Sequence, residues 1–247
     1  LLLLASGRAV AQPTLSWSPD FAINGPPTAP ADSIIFDDGT GLSLYVSGFM
    51  ARAGGRLCNG IARFDGEHWQ PLGRGPLSSA GGSGTGLVRD MAVLDIDGPG
   101  PIQPMLYVAG QFRPQQSDGT ILTGCRLARW TGTQWERISE YASGGQGYAL
   151  LPVEGPEGPR LYVGSARGGS LSYFGASGRV TIPFVDTVYP NAILALEFHD
   201  PDGAGPLEGK IFVSGASDVL VPGVIAVSLD GAIESLPPQP PDDFNFT

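Results

Sequence analysis

Four times in this chain a short apolar run with an aromatic at its second position ends in small residues. The four runs are Leu44-Tyr45-Val46-Ser47-Gly48, Leu106-Tyr107-Val108-Ala109-Gly110, Leu161-Tyr162-Val163-Gly164 and Ile211-Phe212-Val213-Ser214-Gly215. Their aromatic positions, 45, 107, 162 and 212, are 62, 55 and 50 residues apart. A period of that length constrains the fold more than any local propensity, because one such unit cannot bury its apolar faces alone and must stack on its neighbours.

Each anchor is preceded by an apolar run that ends in an acidic or glycine-bearing turn: Ile34 to Gly39, Val93 to Gly98, Leu150 to Gly155, and Leu196 to Asp200. Apolar run, turn, apolar run is the pattern of a hairpin. After two anchors a second hairpin follows, with Phe64 and Trp69 flanking Asp65-Gly66, and Trp130 and Trp135 flanking Thr131-Gly132. The shared spacing predicts that each aromatic pair meets across two strands. Two hairpins per period make four strands, the layout of a β-propeller blade.

The composition agrees: 37 glycines and 23 prolines punctuate the chain, yet 42% of it is hydrophobic, as many short strands and many turns require. Glycine or proline interrupts almost every window long enough for a helix. The expected fold is therefore all-β, a β-propeller of four-stranded antiparallel blades, with four repeats visible and the ring incomplete. The repeats span 31–236, at about 31–88, 89–147, 148–191 and 192–236. Residues 12–30 form an N-terminal extended segment in which Thr14 to Phe21 would supply a closing strand, and 237–247 read as a proline-rich linker or a truncation.

The motifs of the first repeat carry a family resemblance. Phe36 to Gly41, Leu44 to Phe49, Ala53 to Gly55, Ile61 to Trp69 and Pro71 to Gly75 resemble the repeat of secreted bacterial β-propeller proteins. Those are similar in turn to kelch and galactose-oxidase-type propellers and to the fungal cortical polarity-marker propellers. The resemblance covers roughly residues 30 to 236, closely in the first repeat and loosely in the last two. It implies an extracellular location and protein or glycan binding, and it brings no catalytic residues.

The start of the chain points the same way. Leu1 to Ala5 reads as the end of an apolar signal-peptide core and Ala9-Val10-Ala11 as its cleavage site, so 1–11 are expected to be a signal-peptide remnant and the protein to be exported. No later stretch approaches the ~20 apolar residues of a membrane-spanning helix. The net charge of −10, with Lys210 as the only lysine, argues against nucleic acid and anionic membrane surfaces as partners.

Candidate chemistry is sparse. Asp95-Ile96-Asp97-Gly98 and Asp200-Pro201-Asp202-Gly203 place alternating carboxylates that would offer oxygen ligands to Ca²⁺, with Asp37-Asp38-Gly39 at the same place in the first repeat. Aspartate and glycine are also simply turn residues, and the glutamate that completes an EF-hand loop is replaced by Leu106 and Ile211. Cys58 and Cys125 allow one disulfide at most, although equivalent positions in adjacent repeats need not come within the ~7 Å between Cα atoms that a bridge tolerates. His68 and His199 lie in no nucleophile motif, and Gly81 to Gly86 lacks the lysine of a phosphate loop. Arg63 and Arg129 recur at one repeat position and are expected to pair with turn carboxylates or to stack on aromatics.

With no catalytic constellation, the leading expectation is a non-catalytic extracellular scaffold for a protein or carbohydrate ligand bound by loops. A propeller-type enzyme, hydrolase, lyase or oxidase, with a site assembled from several blades is the alternative. A structural or surface-display module of a larger protein is the third reading.

Overall fold

The computed structural model describes residues 30–75, 77–78, 84–100, 103–123, 125–138, 147–155, 158–165, 170–182, 192–200, 209–216, 224–229 and 231–234. The apolar N-terminal stretch, the segment up to residue 29, Asp202 and residues 237–247 lie outside them.

The described chain is all-β, with no helix among the described residues. The first sheet opens with β1 (Asp32–Asp37) and β2 (Leu42–Ser47), is interrupted by a small hairpin of β3 (Arg52–Ala53) and β4 (Arg56–Leu57), and continues with β5 (Ile61–Phe64) and β6 (Trp69–Pro71) in the order β1-β2-β5-β6. In the second, β7 (Leu77–Ser78) and β8 (Leu87–Leu94) both pair with β9 (Met105–Arg113), which continues to β10 (Leu127–Trp130) and β11 (Trp135–Arg137). The third is β12 (Gly147–Gly155), β13 (Gly158–Ser165), β14 (Leu171–Gly175) and β15 (Gly178–Ile182) in chain order. The fourth is β16 (Ala192–His199), β17 (Lys210–Ala216), β18 (Val224–Ser228) and β19 (Ile233–Glu234), also in chain order. Every pairing in these sheets is antiparallel.

Each sequence anchor is the second strand of its sheet, and the registers superimpose. Tyr45 is opposite Arg63, Tyr107 opposite Arg129, Tyr162 opposite Tyr173, and Phe212 opposite Ala226. The first strands of sheets two, three and four carry a register shift at the same place, between Val88 and Asp90, Gly147 and Ala149, and Ile193 and Ala195. The predicted aromatic pairs form: Phe64 and Trp69 are register partners with ring centroids 5.1 Å apart, and Trp130 and Trp135 are partners at 5.2 Å. The repeats differ from the sequence reading at one strand: Leu77-Ser78, placed there in the first repeat, adds to β9 of the second sheet.

Strand alternation gives each of the first three sheets two apolar faces and the fourth one, and consecutive sheets share cores in one direction. Phe36, Tyr45 and Ile61 of the first sheet pack with Met91, Leu106, Val108 and Trp130 of the second. Leu94, Tyr107 and Leu127 on the other face of the second pack with Leu150, Leu161, Val163 and Phe174 of the third. Val153, Tyr162 and Leu171 of the third then pack with Ile211, Val213 and Val227 of the fourth. At each boundary the aromatic anchor faces the following sheet, and the aliphatic residues flanking the next anchor face back. The first sheet's own backward face is partly covered by the β3–β4 hairpin, which buries Met50, Ala53 and Cys58 against Val46, Ala62 and Trp69.

Candidate functional site

The polar side chains that sequence reading singled out collect at the turn end of the sheets, along the boundaries between them. Asp38, in the β1–β2 turn, is the hub of the first boundary. Its carboxylate pairs with Arg63 at 3.1 Å, accepts the Thr40 hydroxyl at 2.5 Å, and accepts the Trp130 indole N–H of the second sheet at 3.1 Å. Arg63 also donates to the Thr40 hydroxyl and to Gln70 at 3.0 Å. The side chains of Asp38 and Arg63 are only 2% and 15% exposed, so the charges meet in a largely dehydrated site. Burial raises the Asp38 pKa, but the Thr40 and Trp130 hydrogen bonds, the neighbouring Tyr45 hydroxyl and the Arg63 charge outweigh it, leaving the carboxyl below its ordinary value. Burial, and after it the same carboxylate, pushes the Tyr45 hydroxyl well above its usual range.

Arg63 thus finds the turn carboxylate expected of it. Arg129 does not: it pairs with Glu136 of the neighbouring strand at 2.7 Å.

Asp37 turns inward on its own loop, one oxygen accepting the Gly39 and Gly41 N–H groups at 2.9 Å each. Asp65 and Asp118 close their turns in the same manner. Asp95 is held above its ordinary pKa by burial and then by its neighbour Asp97. Asp200 follows His199, the last residue of the fourth sheet's first strand. Of the six carboxylates considered for Ca²⁺, Asp38 spends both oxygens on hydroxyl, indole and guanidinium donors, and Asp37 spends one on backbone amides. No group of three or more metal-ligating side chains occurs among the described residues.

The disulfide considered from sequence does not form, and both cysteines are free. The reason is packing. Cys58 is sealed under the β3–β4 hairpin with its thiol 3.7 Å from the Met50 carbonyl, whereas Cys125 belongs to the core between sheets one and two and donates to the Leu127 carbonyl at 3.1 Å. Burial pushes the two thiols up to about 11 and about 12. His68 is exposed, 3.9 Å from the Glu67 carboxylate, and His199 is exposed with its ring 6.3 Å from that of Phe212.

Two clefts open at equivalent places. The first, about 510 Å³, lies between the turn Asp37-Asp38-Gly39 of one sheet and Gln103, Pro104, Trp130 and Thr131 of the next. The second, about 260 Å³, lies between Ile96-Asp97 and the third sheet's Arg160, Tyr173 and Gly175 to Gly178. In it the Arg160 guanidinium stands 4.5 Å over the Tyr173 ring. In both, an acidic turn leans over the outer hairpin of the following sheet.

Sequence reading missed a second carboxylate pair, at the opposite end of the first strands. Asp32 accepts the Met91 N–H of the second sheet at 2.9 Å, and Asp90 accepts the Leu150 N–H of the third at 2.7 Å. Asp32 and Asp90 hold one repeat position, and each ties its sheet to the equivalent backbone amide of the next. The signal was present in the sequence, since each aspartate lies four residues before the last apolar residue of its strand, Phe36 or Leu94.

Comparisons were made with protein-family models, with curated proteins and with solved structures. None of the three matches this chain.

Proposed function

We propose that the four sheets are blades of a β-propeller-type array, an incomplete ring, and that the protein is a non-catalytic extracellular scaffold binding a protein or carbohydrate ligand along its acidic turns. The observation that carries this reading is the recurrence of one cleft at successive boundaries, each built from an acidic turn, an aromatic and backbone-rich loops. Carboxylate, amide and hydroxyl groups beside an aromatic ring suit a polyhydroxylated or peptide ligand, and loops on a rigid sheet array suit recognition. The stacking of four sheets that share one four-strand layout, the second with an added fifth strand, and the resemblance of the first repeat to secreted propeller proteins support the architecture; the apolar start ending at Ala11 supports export.

The test is a binding screen of the purified protein against glycan and extracellular-matrix panels, repeated with Gln103→Ala and Thr131→Ala in the lining of the larger cleft. A hit weakened about tenfold or more by these changes is expected. Failure to bind any panel member, or a hit indifferent to both changes, overturns the reading. Sequencing the N-terminus of protein recovered from the medium is expected to find Gln12 first.

A further inference from the structure

One position of the repeat ties consecutive sheets at the end away from the acidic turns, and its residue changes along the chain. Opposite Ser47, Ala109, Gly164 and Ser214, each two residues past its aromatic anchor, the first strands place Asp32, Asp90, Ala149 and Ala195. Each aspartate accepts the N–H of the residue that follows this position in the next sheet, Asp32 that of Met91 and Asp90 that of Leu150. Two carboxyls therefore meet only at the first seam. At the second, Asp90 reaches a sheet that carries Ala149 in place of the acid.

At the first seam one amide serves two acceptors. The Met91 N–H lies 2.9 Å from Asp32 Oδ2, across the seam, and 2.8 Å from Asp90 Oδ1, the neighbouring residue of its own strand. The other oxygens are engaged as well, Asp32 Oδ1 by the Ser33 N–H at 2.6 Å and Asp90 Oδ2 by the Leu150 N–H at 2.7 Å. A single N–H does not offset two charges converging on it, whereas a proton held by the pair removes one of them. After burial, the charge that acts most on Asp90 is that of Asp32. Among the described residues the other charged side chains on the strands meeting here are Arg89, next to Asp90, Arg113, four residues past Ala109, and Asp37, Glu154 and Arg160, which lie toward the turn ends of their strands.

We infer that Asp32 and Asp90 form a proton-operated latch on the seam between the first and second sheets. With one proton between them, both carboxyls hold the Met91 amide and the seam is closed. Without it, Asp90 keeps this amide as a contact within its own strand, Asp32 is driven off, and that end of the seam opens. The second seam stays shut, because Asp90 keeps the Leu150 amide and faces no second carboxyl there. The Asp38 hub and the shared apolar core hold the rest of the first seam, so the opening is local. Burial, then the charge of Asp32, keeps the proton on the pair up to about pH 7, so the latch is closed below that pH and released as pH rises through it.

Nuclear magnetic resonance on the whole chain between pH 5 and pH 8.5 tests this, reading the side-chain carboxyl carbons of both aspartates and the hydrogen exchange of two amides. The Asp32 and Asp90 carbons are expected to move together with a midpoint near 7. Exchange at Met91, corrected for its intrinsic pH dependence, is expected to rise about tenfold or more across the midpoint, and at Leu150 less than about twofold. Asp32→Asn keeps an acceptor for Met91 and removes one charge; it is expected to shift the Asp90 midpoint downward and to abolish the rise at Met91. Carboxyl carbons that titrate separately below about pH 5 overturn the inference. So does a response of equal size at Met91 and Leu150, which signifies general loosening, or a rise at Met91 that persists in Asp32→Asn. Should that variant misfold, the wild-type carbon titration and the contrast between the two amides decide the matter alone.

Discussion

Asp32 and Asp90 converge on one amide: the Met91 N–H lies 2.9 Å from Asp32 Oδ2 and 2.8 Å from Asp90 Oδ1. Burial, followed by the charge of Asp32, pushes the Asp90 carboxyl up to about 7, against the favourable pull of the Leu150 and Met91 amides. Two carboxylates this close are stable together when they hold a proton between them.

That pair makes stability depend on pH in an unusual direction for an acid. The folded pKa of Asp90 is raised, so between the unfolded value near 4 and about 7 the native state binds the extra proton. Its contribution is fully present below about pH 4 and is lost as pH rises through about 7. Asp90→Asn, which keeps an acceptor and removes the titration, is expected to flatten the decline in urea-unfolding free energy between pH 5 and pH 8. A wild-type profile that rises over this window would contradict the assignment.

The Asp38 hub predicts a coupling across the first boundary. Asp38→Ala strands Arg63 in a site where it is 15% exposed and removes the Trp130 acceptor, and is expected to cost about 2–4 kcal/mol. Trp130→Phe is expected to cost less. In a double-mutant cycle measured by denaturant unfolding, the two should couple by about 1 kcal/mol.

Two glycines at equivalent turns separate backbone strain from inter-sheet contact. Gly66 and Gly132 both adopt positive φ, +102° and +92°. A Cβ on Gly66 would meet nothing within 4 Å, whereas one on Gly132 would lie 2.5 Å from the Asp38 carbonyl oxygen of the first sheet. Gly66→Ala should cost about 1 kcal/mol of strain, and Gly132→Ala at least about 1 kcal/mol more, read as the difference between their unfolding midpoints.

The buried thiols should be inert. With both pushed up to about 11 and about 12, neither Cys58 nor Cys125 forms appreciable thiolate at neutral pH. A thiol-reactive chromophore is expected to label neither in the native protein and both after unfolding. Native mass should show no loss of two hydrogens to a disulfide.

The sequence by itself determined the unit and its strands. The LYVxG anchor, the acidic turn and the aromatic pairs are local patterns with a period of two, and local alternation suffices to fix which residues of a strand share a face. For that reason Phe64 with Trp69 and Trp130 with Trp135 were legible as cross-strand partners. Arg63 was legible as a residue on the opposite side from Phe64. What the sequence did not carry is which sheet each face meets. That Asp38 receives an indole from the next sheet, that Asp32 and Asp90 share an amide, that Arg129 turns to Glu136, and that Cys58 and Cys125 lie in different cores all depend on the stacking of one sheet on another. Those contacts join residues tens of positions apart, and no periodicity records them. Only the tertiary structure decided them, because burial sets the cost of an unpaired charge or amide, and a residue's burial follows from the sheet that covers it.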